Sequence, residues 1–149
     1  MKDSLERRLQ MGEERRRRGY NCCQTVLCTY ADLLEEEEEL LFRTAEGFGR
    51  GIGGSMQTCG SVTAMVIAAG LVKSCGDLSA CNSKPETMKL TRELMQAFQD
   101  LNGTVCCREL KGIDTGTVIR ACPDCMDDGI RILWEKVFSG KETKQTNKS

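Results

Sequence analysis

The segment 58–72, TCGSVTAMVIAAGLV, is the feature of this sequence that most constrains its fold. Its small residues Gly60, Ala64 and Ala68 recur every four positions and form a flat ridge on which another helix can pack closely. Apolar residues occupy every side of this predicted helix, which indicates burial on all faces. A chain of 149 residues is long enough to bury such a helix within one domain. We therefore expect residues 58–72 to form the innermost helix of a helical bundle.

Helical patterns cover almost all of the remaining chain, and no segment has the alternation that is typical of a strand. N-cap or first-turn residues mark predicted helix starts at Asp3 or Ser4, Asn21, Ser83 and Pro123. Ser83 and Glu86 form a capping-box pattern. We predict an all-α fold in which residues 1–138 form a single-domain helical bundle of about five to six helices. Residues 139–149 are polar and are predicted to be a disordered tail.

A glycine-rich loop, GFGRGIGGS at residues 47–55, separates a Glu-rich predicted helix from the innermost one. Gly49, Gly51 and Gly54 match the GxGxxG pattern of dinucleotide-binding loops. That function requires a β-strand immediately before the loop, and a helix is predicted there instead. We therefore interpret the glycines as a loop in which they supply positive φ angles or let the backbone approach closely.

The charge and the aromatic content of the chain exclude several classes of partner. The net charge is -1, and the chain has only one Trp, two Tyr and four Phe. Phosphate binding depends on an excess of Lys and Arg, and single-stranded nucleic acids stack on aromatic faces, so we expect no nucleic-acid partner.

The apolar run 62–72 is too short to span a bilayer, and no secretory signal is visible. We expect no membrane insertion and a cytoplasmic location.

The chain has ten cysteines and no histidine. Thiols are kept reduced in the cytoplasm, so structural disulfides are not the expected use of so many cysteines. Metal ligation or redox chemistry is the better explanation. The absence of histidine excludes a CxxCH haem site, Cys–His catalysis and the usual general base at neutral pH.

Two positions have the strongest local features of reactive thiols. Cys59 lies in the first turn of the predicted innermost helix, where free N–H groups and the positive end of the dipole favour a thiolate. Cys122 and Cys125 form a CxxC motif at a helix start, which supports thiol chemistry or metal ligation. No βαβ pattern accompanies the motif, so it does not indicate a thioredoxin domain. Packing at the helix end is the competing explanation for Cys125.

The other cysteines are less informative. Adjacent cysteines occur at positions 22–23 and 106–107, and neighbours on a helix point about 100° apart, so one of each pair can face a common centre. A zinc ribbon needs two CxxC knuckles, and this chain has one. Cys28 is expected to be a core filler. Cys75 and Cys81 lie in a polar loop, where they could bridge to each other or be surface thiols.

Four motifs follow one another within residues 19–138: YNCCQTVL, GRGIGGSMQTCGSVTA, CRELKG and CPDCMDDGIRIL. In this order they resemble the C_GCAxxG_C_C family of redox-active proteins. The resemblance implies an all-helical redox protein, often near transport or electron-transfer functions. Four cysteines recur in that family, and by motif they fall here on Cys22, Cys59, Cys107 and Cys122.

The chain departs from the central family motif at two positions. Ser61 stands where alanine is usual, and Ala64 stands where the second glycine is usual. The added methyl group of Ala64 would widen the helix contact. The domain is also similar to part of the split-Soret cytochromes, whose haem-binding part has no counterpart here.

Two mechanisms follow if these four thiols meet in one pocket. In the favoured one they ligate an iron–sulfur cluster, most simply [2Fe–2S], for electron transfer or sensing. In the other, pairs of them cycle between dithiol and disulfide, with Cys59 or Cys122 as the attacking, catalytic thiolate. A structural zinc site and a helical module that simply buries its cysteines, without a cofactor, are the alternatives. Either redox mechanism implies a redox partner protein, and the ridge within residues 58–72 also permits a homodimer.

Overall fold

A computed structural model of the protein describes residues 2–80 and 82–139. Within these residues the chain forms eight α-helices and no β-strand, which confirms the predicted all-α class. The helices are α1 (Leu5–Arg17), α2 (Cys22–Cys28), α3 (Ala31–Leu34), α4 (Glu38–Ala45), α5 (Gly60–Lys73), α6 (Lys84–Asn102), α7 (Cys107–Lys111) and α8 (Cys122–Leu133). A 3₁₀ turn follows α4, and a π-helical turn extends α8. Cys81 and the predicted tail from residue 140 onward lie outside the described residues.

The helix count exceeds the predicted five to six because one predicted helix is interrupted and α7, predicted as a short helical turn, is a helix. The predicted helix 21–34 is interrupted at Tyr30, whose φ of -111° is not helical. The Tyr30 hydroxyl donates a hydrogen bond to the carbonyl oxygen of Ile130 at 2.6 Å, and its ring stacks on Phe138 at 4.4 Å. Tertiary contacts of this kind override local helix propensity.

Ser4, Asn21 and Ser83 are the N-cap residues of their helices, as predicted, but the Ser83 side chain does not cap α6. Ser4 caps α1, and Asn21 forms a capping box with Gln24 at the start of α2. The capping box predicted for Ser83 is wrong. The Ser83 hydroxyl instead accepts a hydrogen bond from the backbone N–H of Cys75 at 3.0 Å, and no side chain caps α6.

Helix α5 packs against α2, α6 and α8 and is the centre of the bundle, as predicted. Ala64 and Ala68 of its ridge are fully buried, so the bundle accommodates the methyl group of Ala64. The last turn of α5 is less enclosed, because Leu71 is exposed. Across the described residues, none of the helices combines the length and the apolarity that a membrane crossing needs.

One buried arginine, Arg8, links helix α1 to the rest of the bundle, and its side chain is 1% exposed. Its guanidinium donates to the Asp32 carboxylate at 2.7 and 3.0 Å and to the backbone carbonyl of Thr29 at 2.8 Å. It also donates to both carboxylate oxygens of Asp3, and it lies 5.2 Å from the centroid of the Tyr30 ring. This charged network ties α1 to the segment around α3.

The Arg8 network is expected to make the stability of the protein depend on pH in the acidic range. Burial alone would raise the pKa of Asp3 and of Asp32, but the hydrogen bonds and the charge of Arg8 outweigh it, so the pKa of each carboxyl is lowered. Such a carboxyl stabilises the folded state above its unfolded pKa, and this contribution is lost as the pH falls through its folded pKa. The free energy of unfolding, measured with urea from about pH 7 down to about pH 3, should therefore fall less steeply for Asp3→Asn than for the wild type. Parallel pH curves would contradict this expectation.

Candidate functional site

One cavity of about 250 Å³ is lined by five cysteines. Four of them are the cysteines of the sequence motifs, Cys22, Cys59, Cys107 and Cys122, and the fifth is Cys125. Cys22, Cys107 and Cys122 are the first residues of α2, α7 and α8, and Cys59 is the N-cap of α5. The structure therefore brings the four motif cysteines to one cavity, while their roles stay predictions.

Two long-range backbone hydrogen bonds hold Cys59 and Cys107 close together. The N–H of Cys59 donates to the carbonyl oxygen of Val105 at 2.8 Å, and the N–H of Cys107 donates to that of Gln57 at 2.6 Å. The residues just before these two cysteines form an isolated antiparallel bridge. The segment that enters α5 is thus paired with the segment that enters α7.

The glycine-rich loop passes beside Cys22 and Cys107. All of residues 50–54 have a positive φ, between 51° and 76°. A Cβ on Gly51 would lie 2.6 Å from the backbone nitrogen of Gln57 and 2.8 Å from the Cβ of Cys107, so only glycine fits there. These positions confirm the interpretation that the glycines supply positive φ angles and close backbone approach.

Cys59 and Cys125 line the same cavity, and the two thiols shift each other's pKa. A hydrogen bond between them lowers the pKa of the Cys59 thiol and raises the pKa of the Cys125 thiol. Burial opposes the lowering at Cys59, whereas the backbone N–H groups of Ser61 and Val62 and the charge of Lys111 support it. Although Cys59 is the N-cap residue of α5, its side chain makes no regular capping hydrogen bond. Within the pair, Cys59 is the more acidic thiol.

The position of Cys125 is fixed by contacts between α5 and α8. The Ser61 hydroxyl donates to the carbonyl oxygen of Cys125 at 2.6 Å, and the Cys125 sulfur lies 3.7 Å from the carbonyl oxygen of Arg120. The two helices approach closely at Gly129, where a Cβ would lie 2.2 Å from the Ser61 oxygen. Ser61, one of the two departures from the family motif, therefore helps to position a cavity cysteine.

The cavity cysteines differ from one another in exposure. Cys22 and Cys122 are partly exposed, whereas Cys59, Cys107 and Cys125 are buried. Burial raises the pKa of Cys22 and of Cys107, and the nearby charge of Cys59 adds to the rise. Cys59 thus has a lowered pKa although it is more buried than Cys22.

The cysteines outside the cavity occupy other environments. Cys28 is a buried core residue, as predicted, and so is Cys23; burial raises the pKa of both thiols to about 12. The Cys106 sulfur lies 3.6 Å from a backbone carbonyl oxygen, and Cys75 is exposed in the loop before α6. A bridge between Cys75 and Cys81, one of the two alternatives for this loop, involves a residue outside the described part of the chain. All nine described cysteines are free thiols.

The thiols that line the cavity are also candidate ligands of a metal centre. Thiolates are the ligands of iron–sulfur clusters, and they are among the ligands of structural zinc. Among residues 2–80 and 82–139, however, no group of three or more cysteine, aspartate or glutamate side chains is placed to hold a metal ion. Ligation of a cluster or of zinc by Cys22, Cys59, Cys107 and Cys122 therefore stays a prediction.

The protein is thus a cysteine-rich helical bundle in which thiols from the starts of four helices line one cavity. The chain belongs to the C_GCAxxG_C_C family, which is described as "Putative redox-active protein" and which matches residues 20–136. The match confirms the resemblance noted in the sequence, and it supports a redox-active protein as the general function. Comparison with curated proteins and with solved structures gives no match.

Replacing Gly60 with alanine is expected to destabilise the protein and to displace Cys22. A Cβ on Gly60 would lie 2.2 Å from the Cys22 sulfur and 3.1 Å from the backbone nitrogen of Cys23. Either Cys22 must turn or α2 must move away from α5. Overpacking of this kind costs about 1–3 kcal/mol of unfolding free energy, which urea titration measures.

Gly70→Ala is the matched control, because Gly70 lies in the same helix and nothing is within 4 Å of a Cβ built there. Alanine is the better helix former, so this variant should be unchanged or more stable by up to about 1 kcal/mol. If the Gly60 and Gly70 variants lost the same stability, the close contact with Cys22 would not be the cause.

Proposed function

We propose that the protein is a dithiol–disulfide redox protein in which Cys59 is the attacking thiolate and Cys125 is the resolving thiol. The observation that carries this proposal is that both thiols line one cavity, where the hydroxyl of Ser61, two residues after Cys59, donates to the carbonyl oxygen of Cys125 at 2.6 Å. Two cysteines that face one cavity from neighbouring helices can be bridged when their Cα atoms lie within the reach of a disulfide. The redox description of the family agrees with this function.

The reaction begins when the Cys59 thiolate attacks one sulfur of a substrate disulfide. A mixed disulfide forms between Cys59 and one half of the substrate, and the other half leaves as a thiolate that takes a proton from water. Cys125 then attacks the Cys59 sulfur and gives its proton to the departing second half, which therefore leaves as a thiol. The substrate gains two electrons, and the protein loses the same two electrons as the Cys59–Cys125 disulfide forms.

The structure also supplies a way to activate Cys59 in a chain without histidine. Helix α5 has 14 residues, and its N-terminus carries a partial positive charge next to the Cys59 sulfur. The charge of Lys111 acts in the same direction. These groups favour the thiolate directly, so no general base is needed for the first attack.

Cys22 and Cys122 are suited to a second exchange with a redox partner protein. Both line the cavity and both are partly exposed, unlike Cys59 and Cys125. A protein partner too large to enter the cavity would therefore meet these two thiols first. In this proposal they return electrons to the Cys59–Cys125 disulfide by thiol–disulfide exchange.

Counting thiols tests the proposed function. One equivalent of a small disulfide should remove two thiols per chain from the reduced protein, and dithiothreitol should restore both. The count is made in denaturant, after excess reagent has been removed. A folded protein whose thiol count does not change under these conditions would contradict the proposal.

A four-thiol metal centre is the second candidate, and the observation that favours it is that cysteines from the starts of four helices line one cavity. Cys22, Cys59, Cys107 and Cys122 would hold the metal, and a [2Fe–2S] cluster would supply one-electron transfer. If the dithiol function is right, protein purified without oxygen should be colourless and should lack stoichiometric iron and zinc. A brown, iron-containing protein would favour the cluster, and stoichiometric zinc would favour a structural site.

A further inference from the structure

The wall of the cysteine cavity carries an excess of positive charge. Arg50, Lys111 and Arg120 line the cavity. Within the described part of the chain, no aspartate or glutamate is among its lining residues. The composition of the wall therefore favours a ligand with negative charge, although the chain as a whole is nearly neutral.

One of the three cations is already neutralised. The Arg120 guanidinium donates to both oxygens of the Asp128 carboxylate, at 2.9 and 3.0 Å. In residues 2–80 and 82–139, no carboxylate lies within 4.0 Å of a side-chain nitrogen of Arg50 or Lys111. These two side chains are therefore the ones that a ligand can neutralise.

The other polar side chains at the cavity already have protein partners. The Tyr20 hydroxyl donates to the Glu38 carboxylate at 2.6 Å. The Asn21 amide donates to the backbone carbonyl of Glu46 at 2.9 Å. Recognition of a ligand by charge therefore depends on Arg50 and Lys111.

We propose that the cavity takes a small disulfide that carries carboxylates, with Lys111 and Arg50 binding the carboxylates and the sulfur–sulfur bond facing Cys59. This proposal rests on the proposed dithiol function and names its substrate class. Both cations line the same cavity as Cys59 and Cys125, and the charge of Lys111 also acts on the Cys59 thiol. A substrate held by its carboxylates would therefore lie in the cavity that contains the reacting sulfurs.

The size of the cavity limits the substrate to a small molecule. Its volume of about 250 Å³ lies below the range of about 300–1,000 Å³ that drug-sized ligands occupy. A disulfide with short, amino-acid-sized arms fits this space, and the disulfide of a folded protein does not enter it. During the exchange each half of the substrate leaves as a thiol that keeps its carboxylate, and the two protein thiols supply both electrons.

Three disulfides with two methylene groups between the sulfur and the terminal group test the charge preference. They are 3,3′-dithiodipropionate with carboxylates, bis(2-hydroxyethyl) disulfide without charge, and cystamine with ammonium groups. Single-turnover reduction by the prereduced protein is followed by thiol release, and each rate is divided by that of the same disulfide with dithiothreitol, since the leaving thiols differ in reactivity. We expect the normalised rate of the anionic disulfide to exceed that of the neutral one by about tenfold, and cystamine to be slowest.

Variants that each lack one positive charge test whether the cavity residues cause this preference for the anionic disulfide. Arg50→Gln and Lys111→Gln should each lower the advantage of the anionic disulfide over the neutral one by about threefold. Arg92→Gln removes the same charge from an exposed position on α6 that does not line the cavity, and it should leave the advantage unchanged. Circular dichroism confirms that each variant is folded.

The outcomes separate the substrate class from the function. Equal normalised rates for the three disulfides would overturn the charge-based substrate class and leave the dithiol function standing. An equal effect of Arg92→Gln would likewise overturn the assignment to Arg50 and Lys111. If the folded, reduced protein reduced none of the three disulfides, the proposed function itself would fail, and the substrate class with it.

Discussion

The Cys59→Ser variant is expected to reduce small disulfides more slowly than the wild type by a factor on the order of 100 or more, because a serine hydroxyl does not replace a thiolate as the attacking group. The measurement is single-turnover thiol release from 3,3′-dithiodipropionate near neutral pH. Thermal unfolding shows whether the variant is folded. Activity close to that of the wild type would exclude Cys59 as the attacking thiol.

Cys125→Ser separates the roles of the two thiols. This variant should still form the mixed disulfide on Cys59 but should not release the second half of the substrate, so mass spectrometry should find a stable adduct. Cys28→Ser and Cys75→Ser are matched controls outside the cavity, one buried and one exposed. Both should keep the activity of the wild type. If Cys122→Ser instead gave the stable adduct, Cys122 would be the resolving thiol.

Arg8→Met is expected to lower the free energy of unfolding by about 3 kcal/mol, as for other buried ion pairs from which one partner is removed. The variant loses the hydrogen bonds to Asp3, Asp32 and the Thr29 carbonyl, and it loses the contact with the Tyr30 ring. It also leaves the Asp3 carboxylate, which is largely buried, without its main partner. Urea unfolding at neutral pH measures the loss.

Arg17→Met is the matched control for Arg8. Arg17 lies on the same helix and pairs with Glu13 at 2.7 Å, but both side chains are exposed. Exposed pairs contribute about 0–1 kcal/mol, so this variant should be close to the wild type. A loss equal to that of Arg8→Met would mean that α1 depends on its total charge and not on the buried network.

The fold class and the central helix could be predicted because their determinants are local. The Asn21 capping box lies within four residues, and the apolar character of residues 58–72 is visible in one short segment. The interruption at Tyr30 could not be predicted, because it depends on a hydrogen bond to Ile130, 100 residues away. The Arg8 network was also missed, because an arginine in a charged helix has the pattern of an exposed residue.

The candidate site was predictable only in part. The family resemblance indicated four cysteines, but their meeting depends on the pairing of the segments before Cys59 and Cys107, which no local pattern encodes. The position of Cys125 had a usable signal, because residues three apart in a CxxC motif lie on the same side of a helix. Packing at the helix end explained that spacing equally well. The hydrogen bond from Ser61 that positions Cys125 spans 64 residues.

Mapping the disulfide that forms on oxidation tests the central claim most directly. Cys59 is the sole cysteine of tryptic peptide 51–73, while Cys122 and Cys125 share peptide 121–131, so fragment ions or a Cys122→Ser background assign the bond. After one equivalent of a small disulfide, the account predicts a bond between Cys59 and Cys125 and its loss on reduction. The account would be contradicted if Cys59 and Cys125 in the oxidised protein were both free thiols that can be alkylated and the disulfide joined two other cysteines.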